Sequence, residues 1–414
     1  MMKFVKPMER MAFLSMASFS LFIYASIAAS SIGHILLILP GFYFTYLGWN
    51  KVSLPWSAKF LTLFILIASI TAFFSESLAD PFHTLGELRY FWAGILSIPA
   101  FSVVFITKVT DLEKFDKRIK FLIYSSLIVA AVGSISGIIG LYSGFNPLRL
   151  QASTDPHRAT GLYSMAITFG YGIQFMALIN FSLLIFYDKI KQYIRLRTLV
   201  ITMICIFLGL YFSGSRGALL GFLAGIPFLF IRLHRQRFYY IMGASALLLL
   251  AVTAIIFSGG STTSRFLLPA KHGSNMIRIS QYEAAYEAIK ERPFIGHGYR
   301  NFGNISERIK KEHNIAYPDF ISHAHNNYLE IWADIGIFGL LAFIAFLGAW
   351  FVEAWRRQDL VGDTTLSIVV ALIVSGSFQC TIIDGENAFA IMFIYGLSQV
   401  TMARIKGFRS LLKP

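Results

Sequence analysis

Charge is scarce in this chain. Only 14% of its 414 residues are Asp, Glu, Lys or Arg, against 56% hydrophobic and 16% aromatic residues. That balance excludes an ordinary soluble domain and indicates an all-α polytopic membrane protein. Cysteine is scarcer still. Cys205 and Cys380 both fall in apolar segments, which excludes a disulfide framework and a cysteine-based metal site. The chain also lacks a DxD motif, an HExxH motif and any cluster at metal-ligand spacing. No cofactor or metal is therefore expected, and a nucleotide-sugar held through a divalent ion is excluded. The Gly-rich GHGY at 296–299 is a turn and not a phosphate loop, because no GxxxxGK[ST] accompanies it. Internal repeats and low-complexity segments are absent.

What charge there is carries a net +14, a value that in a soluble protein would suggest nucleic acid. Here its distribution excludes a nucleic-acid partner, because most of it lies in short loops between apolar spans. About twelve spans fit the hydropathy, near 11–30, 33–49, 58–75, 88–107, 121–142, 161–187, 198–212, 217–231, 239–258, 329–353, 364–382 and 388–405. The first follows Lys3, Lys6 and Arg10 without a clear small-residue cleavage site, and is expected to stay as a signal anchor. Every second connection is basic, for example Lys114, Lys117, Arg118 and Lys120, then Lys189, Lys191, Arg195 and Arg197. The positive-inside rule makes those connections and both termini cytoplasmic. The intervening loops, including the long one at 259–328, then face outward. The chain divides accordingly into helices 1–9 (1–258), the outward loop (259–328) and helices 10–12 (329–414). Within the loop, Ile279, Tyr282, Tyr286 and Ile289 recur at helical spacing between Arg278 and Arg292, and Pro293 ends the pattern. A second short helix is expected around Ile305 and Ile309.

The stretch Ile321–Leu341 concentrates the polar side chains. His323, His325 and Asn326 precede an apolar run, and Asn327 with Glu330 three residues on reads as a capping box. A helix N-terminus suits an anion, and a histidine at the membrane edge can move protons beside a phosphorylated lipid. Against this stands a plainer role, in which these residues only cap and anchor the helix. Arg216, in SGSRG between two apolar runs of about fifteen residues, is expected below the outer surface, where an arginine must pair or face a polar cavity. Arg158, Arg265 and Arg278 add further guanidinium groups on the same side. Guanidinium forks bind phosphate bidentately, so a pyrophosphate is the natural guest. Asp384 and Glu386, on the short outward loop IIDGEN, are candidates to orient a histidine or an arginine.

The segments SGSRGALLG, RISQYEAAYEAIKERPFIGHGYRNF and HAHNNYLEIWADIGIFG resemble signature segments of the O-antigen ligase and polymerase superfamily. HRATGLYSMAITFGYG resembles that family's segment ahead of its middle spans, so the match runs from about Arg158 to Gly339. Twelve spans with one long outward loop resemble the ligase pattern. The resemblance implies a bacterial inner-membrane glycosyltransferase, its active site facing the periplasm. It would move a glycan from undecaprenyl pyrophosphate to a lipid A–core acceptor sugar, without metal. It implies catalytic roles for Arg216, Arg278 and one of the two histidines, His325 at the motif position with His323 as the alternative; Arg158, Arg265, His323, Asn326, Asp384 and Glu386 are expected to bind substrate, with membrane lipids as the surroundings. Two rivals remain at this stage. One is a polymerase that joins lipid-linked repeat units, and the other is a lipid-linked glycan transporter, which would carry charges along its spans or inverted repeats.

Overall fold

The computed structural model describes residues 4–25, 27–49, 51–74, 81–231 and 273–412. Among them the chain is helical apart from one short antiparallel pairing, β1 (Phe145–Asn146) with β2 (Gln151–Ala152). The first half contains α1 (Val5–Phe22), α2 (Ile27–Gly48), α3 (Trp56–Ala72), α4 (Pro81–Glu87), α5 (Arg89–Val104), α6 (Thr107–Thr110) and α7 (Leu112–Ser143). After the β pairing come α8 (Ala166–Ile185), α9 (Tyr187–Ile190), α10 (Leu196–Phe212) and α11 (Arg216–Phe230). The described C-terminal part holds α12 (Gly273–Glu291), α13 (Phe302–Glu312), α14 (Asn327–Arg356), α15 (Leu360–Ser375), α16 (Gly385–Ser398) and α17 (Met402–Leu411). Hydrocarbon offers no partners for peptide groups, so apolar runs of this length pair their backbone internally as helices.

Five described helices are long and apolar enough to cross a membrane: Ala29–Gly48, Arg89–Thr110, Leu112–Ser143, Ala166–Ile185 and Asn327–Arg356. The apolar helices α3, α10, α11 and α15 are shorter, at 15–17 residues. The protein is thus an all-α, multi-pass membrane protein. The expected span at 239–258 lies outside the described residues. Two other expected spans are divided in ways that hydropathy does not register. The span at 11–30 is broken between Phe22 and Ile27, where buried Ile23 and Tyr24 keep the sequence apolar through a turn. The span at 388–405 bends by 75° between α16 and α17, where the Thr401 hydroxyl caps the second helix by accepting from Arg404 N.

Helix α11 packs against α15 and α8, α14 against α3 and α15, and α5 against α2 and α16. Gly217, Gly221 and Gly225 form a small-residue stripe on α11 that lets these backbones approach closely. Polar pairs cross the same interfaces, with Gln174 Nε2 donating to Ser375 Oγ at 3.1 Å and Ser367 Oγ donating to Gly225 O at 2.9 Å.

The helical pair α12 and α13 forms a second, smaller core with Ala324 and Ala333. It is locked to α14 by an opening in that helix. Gly336 has φ 72° and ψ −176°, a conformation essentially restricted to glycine. The segment 293–298 fits against this break. His297 N donates to Ala333 O at 2.9 Å, Gly298 N to Asp334 O at 2.7 Å, and Ile337 N to Pro293 O at 2.9 Å. The Asp334 carboxylate, 1% exposed, then accepts from Arg300 N, Asn301 N and Phe302 N at 2.8, 3.0 and 2.8 Å. It caps α13 from inside α14, satisfying N–H groups that a helix start leaves without partners. Further along, Lys310 Nζ donates to Tyr317 O and Phe320 O, and Gln281 Nε2 donates to Phe320 O, fixing the approach to the histidines.

Candidate active site

The N-terminus of α14 is capped by Asn326 and not, as the capping-box pattern suggests, by Asn327. Asn326 is extended, at φ −155°, and its Oδ1 accepts from Tyr328 N at 2.9 Å and Leu329 N at 3.1 Å. Asn327 is already helical. Its backbone N–H donates to Gly376 O at 2.7 Å, and its side chain bonds Thr381 Oγ1 at 3.0 Å. The helix start is thereby stapled to the segment that follows α15. Glu330 does not close a box either. Its Oε2 accepts from Ala324 N at 2.5 Å, pinning the residue between the two histidines. His325 itself has φ +50°, a left-handed backbone that costs about 1–3 kcal/mol in a non-glycine residue and is held by these surrounding bonds.

Gln379 ties the histidines together. Its Oε1 lies 2.8 Å from His325 Nδ1, and its Nε2 lies 2.9 Å from His323 Nε2. A carboxamide oxygen only accepts and its nitrogen only donates. His325 therefore carries its proton on Nδ1, and His323 Nε2 is an acceptor. The remaining nitrogen of His323, Nδ1, donates to Ser322 Oγ at 2.9 Å. Both nitrogens of His323 are committed, whereas no described residue partners Nε2 of His325. The rings are 4.2 Å apart. Burial pushes the His323 pKa down to about 3, helped by His325 and by the charges of Arg300 and Arg278. Burial also lowers the His325 pKa, and the Gln379 bond partly opposes this while Arg278 adds to it. Both imidazoles are therefore neutral near pH 7.

The arginines approach from the neighbouring elements. The turn between α10 and α11 holds Ser213, Gly214 and Ser215, and α11 begins at Arg216. Arg158, expected among the phosphate ligands, grips this turn. Its Nε donates to Ser213 O at 2.6 Å and its Nη2 to Ser215 Oγ at 2.9 Å. Arg216 is exposed and donates from Nη2 to Asn275 Oδ1 at 3.1 Å. Asn275 stands on α12 three residues before Arg278. The Arg278 charge reaches His323, His325, Tyr282 and Tyr171. Arg216, Arg278 and the two histidines thus share one end of the helical bundle. Arg265 lies outside the described residues.

Asp384 and Glu386 occupy a different neighbourhood. They bond each other, and Asp384 Oδ2 accepts from Asn387 Nδ2 at 3.2 Å. Their charges reach Tyr163. Among the described residues neither bonds a histidine or an arginine. An exposed group of Glu291, Glu312 and His313 brings three potential metal-ligand atoms within 4.8 Å. Its two carboxylates are bridged by Arg308, whose Nη1 and Nη2 lie 2.8 and 3.0 Å from Glu312 and Glu291.

Sequence reasoning missed Gln379, Arg300 and Tyr171. Hydropathy places Gln379 in the span 364–382, yet α15 ends at Ser375 and the residues after it turn back onto α14. A lone glutamine in an apolar run gives no signal of such a role. Arg300 was hidden in a loop; its fork pairs with Glu87 and its charge reaches His323.

Residues 201–344 match the profile of a family described as O-Antigen ligase. That interval contains Arg216, Arg278, both histidines and the Gly336 break. Over 368 aligned residues the chain is also 25% identical to a Haemophilus influenzae (strain Rd) protein described only as uncharacterized, covering 81% of this chain and 88% of the relative. With its helical membrane architecture, this chain is similar to the O-antigen ligase family over residues 201–344, the stretch that spans the arginine and histidine cluster.

Proposed function

We propose that the protein transfers an O-antigen-type glycan from undecaprenyl pyrophosphate to a sugar of lipid A–core, at the periplasmic face of the bacterial inner membrane. In this reading about twelve spans cross the bilayer, both termini are cytoplasmic, and loop 259–328 faces the periplasm with the site at its base. The reaction is one inverting displacement. The acceptor hydroxyl oxygen attacks the anomeric carbon, the bond from that carbon to the phosphate oxygen breaks, and undecaprenyl pyrophosphate leaves with the electron pair. Arg216 and Arg278 neutralise the charge that the leaving group gains, the electrostatic work that a metal does elsewhere. His325 Nε2 takes the hydroxyl proton, a step that contributes about 10²–10⁴-fold. Arg158 acts by holding the turn that presents Arg216. Asn326 and Glu330 hold the His325 backbone, and Gln379 its ring.

The observation that carries this reading is the pairing of a neutral His325, its Nε2 without a described partner, with a guanidinium within electrostatic reach on α12. Cells deleted for the protein test it. Loss of long-chain surface polysaccharide with accumulation of full-length lipid-linked glycan supports a ligase. Accumulation of single lipid-linked repeat units instead assigns the same chemistry to a polymerase. Purified protein with donor and acceptor should transfer glycan in excess chelator, and loss of activity with rescue by Mg²⁺ would overturn the metal-free mechanism.

A further inference from the structure

One buried polar atom beside the arginines has no described role. The side chain of Tyr171, on α8, is 1% exposed, and its hydroxyl has no hydrogen-bond partner among the described residues. Burying a hydroxyl without a partner is costly, so native structures rarely leave one in that state. The hydroxyl lies against Gly217, the second residue of α11, where any Cβ would overlap it and would also crowd the Cβ of Phe378. The phenol is thus directed at the first turn of α11, beside Arg216. Four charged or polar groups lie within electrostatic reach of it: Arg278, Arg158, Tyr282 and Cys380.

The first turn of α11 is itself short of partners. Ser215 stands at its N-cap but makes no side-chain bond to the helix. The Ser215 hydroxyl is instead taken by Arg158 and by Ala166 O. The first N–H groups of a helix have no intrahelical acceptor and attract anions. An unfilled phenol donor, unfilled helical N–H groups and two guanidinium groups therefore converge on one spot.

We propose that the Tyr171 hydroxyl donates a hydrogen bond to a non-bridging phosphoryl oxygen of a diphosphate seated at the N-terminus of α11, between Arg216 and Arg278. This rests on the reading of the donor as a lipid pyrophosphate and adds a substrate-binding residue from α8 to it. Gly217 serves the same site by leaving room for the hydroxyl. The phenol gives direction to a contact that the arginines make mainly through charge, and selects an oxygen acceptor over an apolar group.

Full-length protein in detergent tests this, with inorganic pyrophosphate and farnesyl pyrophosphate as separate probes in calorimetric titrations. Tyr171→Phe removes only the hydroxyl and should weaken binding of farnesyl pyrophosphate about tenfold, the effect of losing one hydrogen bond to a charged group. Because that hydroxyl has no described protein partner, the ligand-free Tm of the variant should stay the same or rise. Gly217→Ala, which crowds the hydroxyl, should weaken binding in the same direction. Equal weakening for inorganic pyrophosphate assigns the contact to the diphosphate and supports the proposal, whereas weakening confined to farnesyl pyrophosphate would assign it to the bridging lipid ester and overturn it. Unchanged affinity for both probes in Tyr171→Phe overturns it, as does a lowered ligand-free Tm with unchanged affinity, which would make the hydroxyl structural. Wild-type protein that binds neither probe overturns the donor reading and this proposal together, whereas wild-type binding matched by Tyr171→Phe overturns the proposal alone.

Discussion

The Nδ1 of His325 and the Oε1 of Gln379 are 2.8 Å apart. Because the carboxamide oxygen cannot donate, this bond places the proton on Nδ1 and leaves Nε2 as a base. The same carboxamide donates to His323, so the two rings are not equivalent. His323 is a neutral, doubly bonded neighbour, and His325 is the ring with a nitrogen to spare.

Gln379→Ala should therefore lower the turnover of glycan transfer about 10–100-fold, the scale of a lost orienting hydrogen bond of 1–3 kcal/mol. Binding of the donor pyrophosphate should change little, since the proposed mechanism assigns that contact to the arginines. Gln379→Glu restores an acceptor for His325 Nδ1 and should recover part of the rate. Initial rates per folded molecule, with donor binding measured alongside, check this. Wild-type turnover in Gln379→Ala would mean that the carboxamide does not set the tautomer.

The pH profile follows from the same burial. A general base works in its neutral form, so the rate rises with pH through the pKa of His325. Burial lowers that pKa below the ordinary histidine value of 6.5. The acidic limb of kcat against pH should accordingly fall below pH 6.5, with a flat region through pH 7. Gln379→Glu places a carboxylate against the ring, favours the imidazolium, and should move that limb upward. A wild-type limb centred above pH 7 would rule out a buried neutral imidazole as the base.

Much of this site was legible in the sequence, and the omissions have physical causes. The spacing of Ile279, Tyr282, Tyr286 and Ile289 placed a helix where α12 stands, but the face it packs is Ala284, Ala285, Ala288 and Ile289, while Ile279 and Tyr286 are exposed. His325 and Arg216 stood out because polar residues at the mouth of an apolar run need a reason. Gln379 and Tyr171 did not, since a glutamine or tyrosine inside an apolar segment looks like any other buried side chain until its partners are known. The capping box failed for a related cause. Asn326 and Asn327 are adjacent and equally good caps by type, and only the contacts of Asn327 with Gly376 and Thr381 decide which one is helical. The Gly336 break was invisible, because hydropathy runs unchanged through ADIGIFG.

Arginine and lysine should not be interchangeable at 216 and 278. Lysine keeps the charge but loses the planar fork that grips two phosphate oxygens. Arg216→Lys and Arg278→Lys should each reduce transfer at least about tenfold, one hydrogen bond's worth or more. Membrane insertion and yield should remain normal. Reporter-scored insertion and glycan transfer in the same cells check both statements. Wild-type transfer by Arg216→Lys would reduce that residue to a membrane-interface anchor, consistent with nothing more than its exposure and its bond to Asn275.

The lock between α13 and α14 makes the last prediction, one of stability and not of chemistry. Asp334 Oδ1 accepts from Asn301 N and Phe302 N, and Oδ2 accepts from Arg300 N. Asp334→Ala strands all three N–H groups in a buried place and should cost about 3 kcal/mol or more. Asp334→Asn keeps one oxygen for two of them and turns an NH₂ toward the third, so its loss should be nearer 1–2 kcal/mol. Gly336→Ala forces a side chain into a conformation that essentially only glycine adopts, against Phe294 O, and should cost about 1–3 kcal/mol. Thermal unfolding in detergent ranks the three variants, and limited proteolysis reports whether segment 293–298 has come loose. The histidines lie just beyond this lock, so cleavage near 293–298 should accompany loss of transfer in Asp334→Ala while inserted protein remains. If Gly336→Ala melts like wild type and resists protease equally, then the bond from Ile337 N to Pro293 O is not what holds α12 and α13 to the membrane helix.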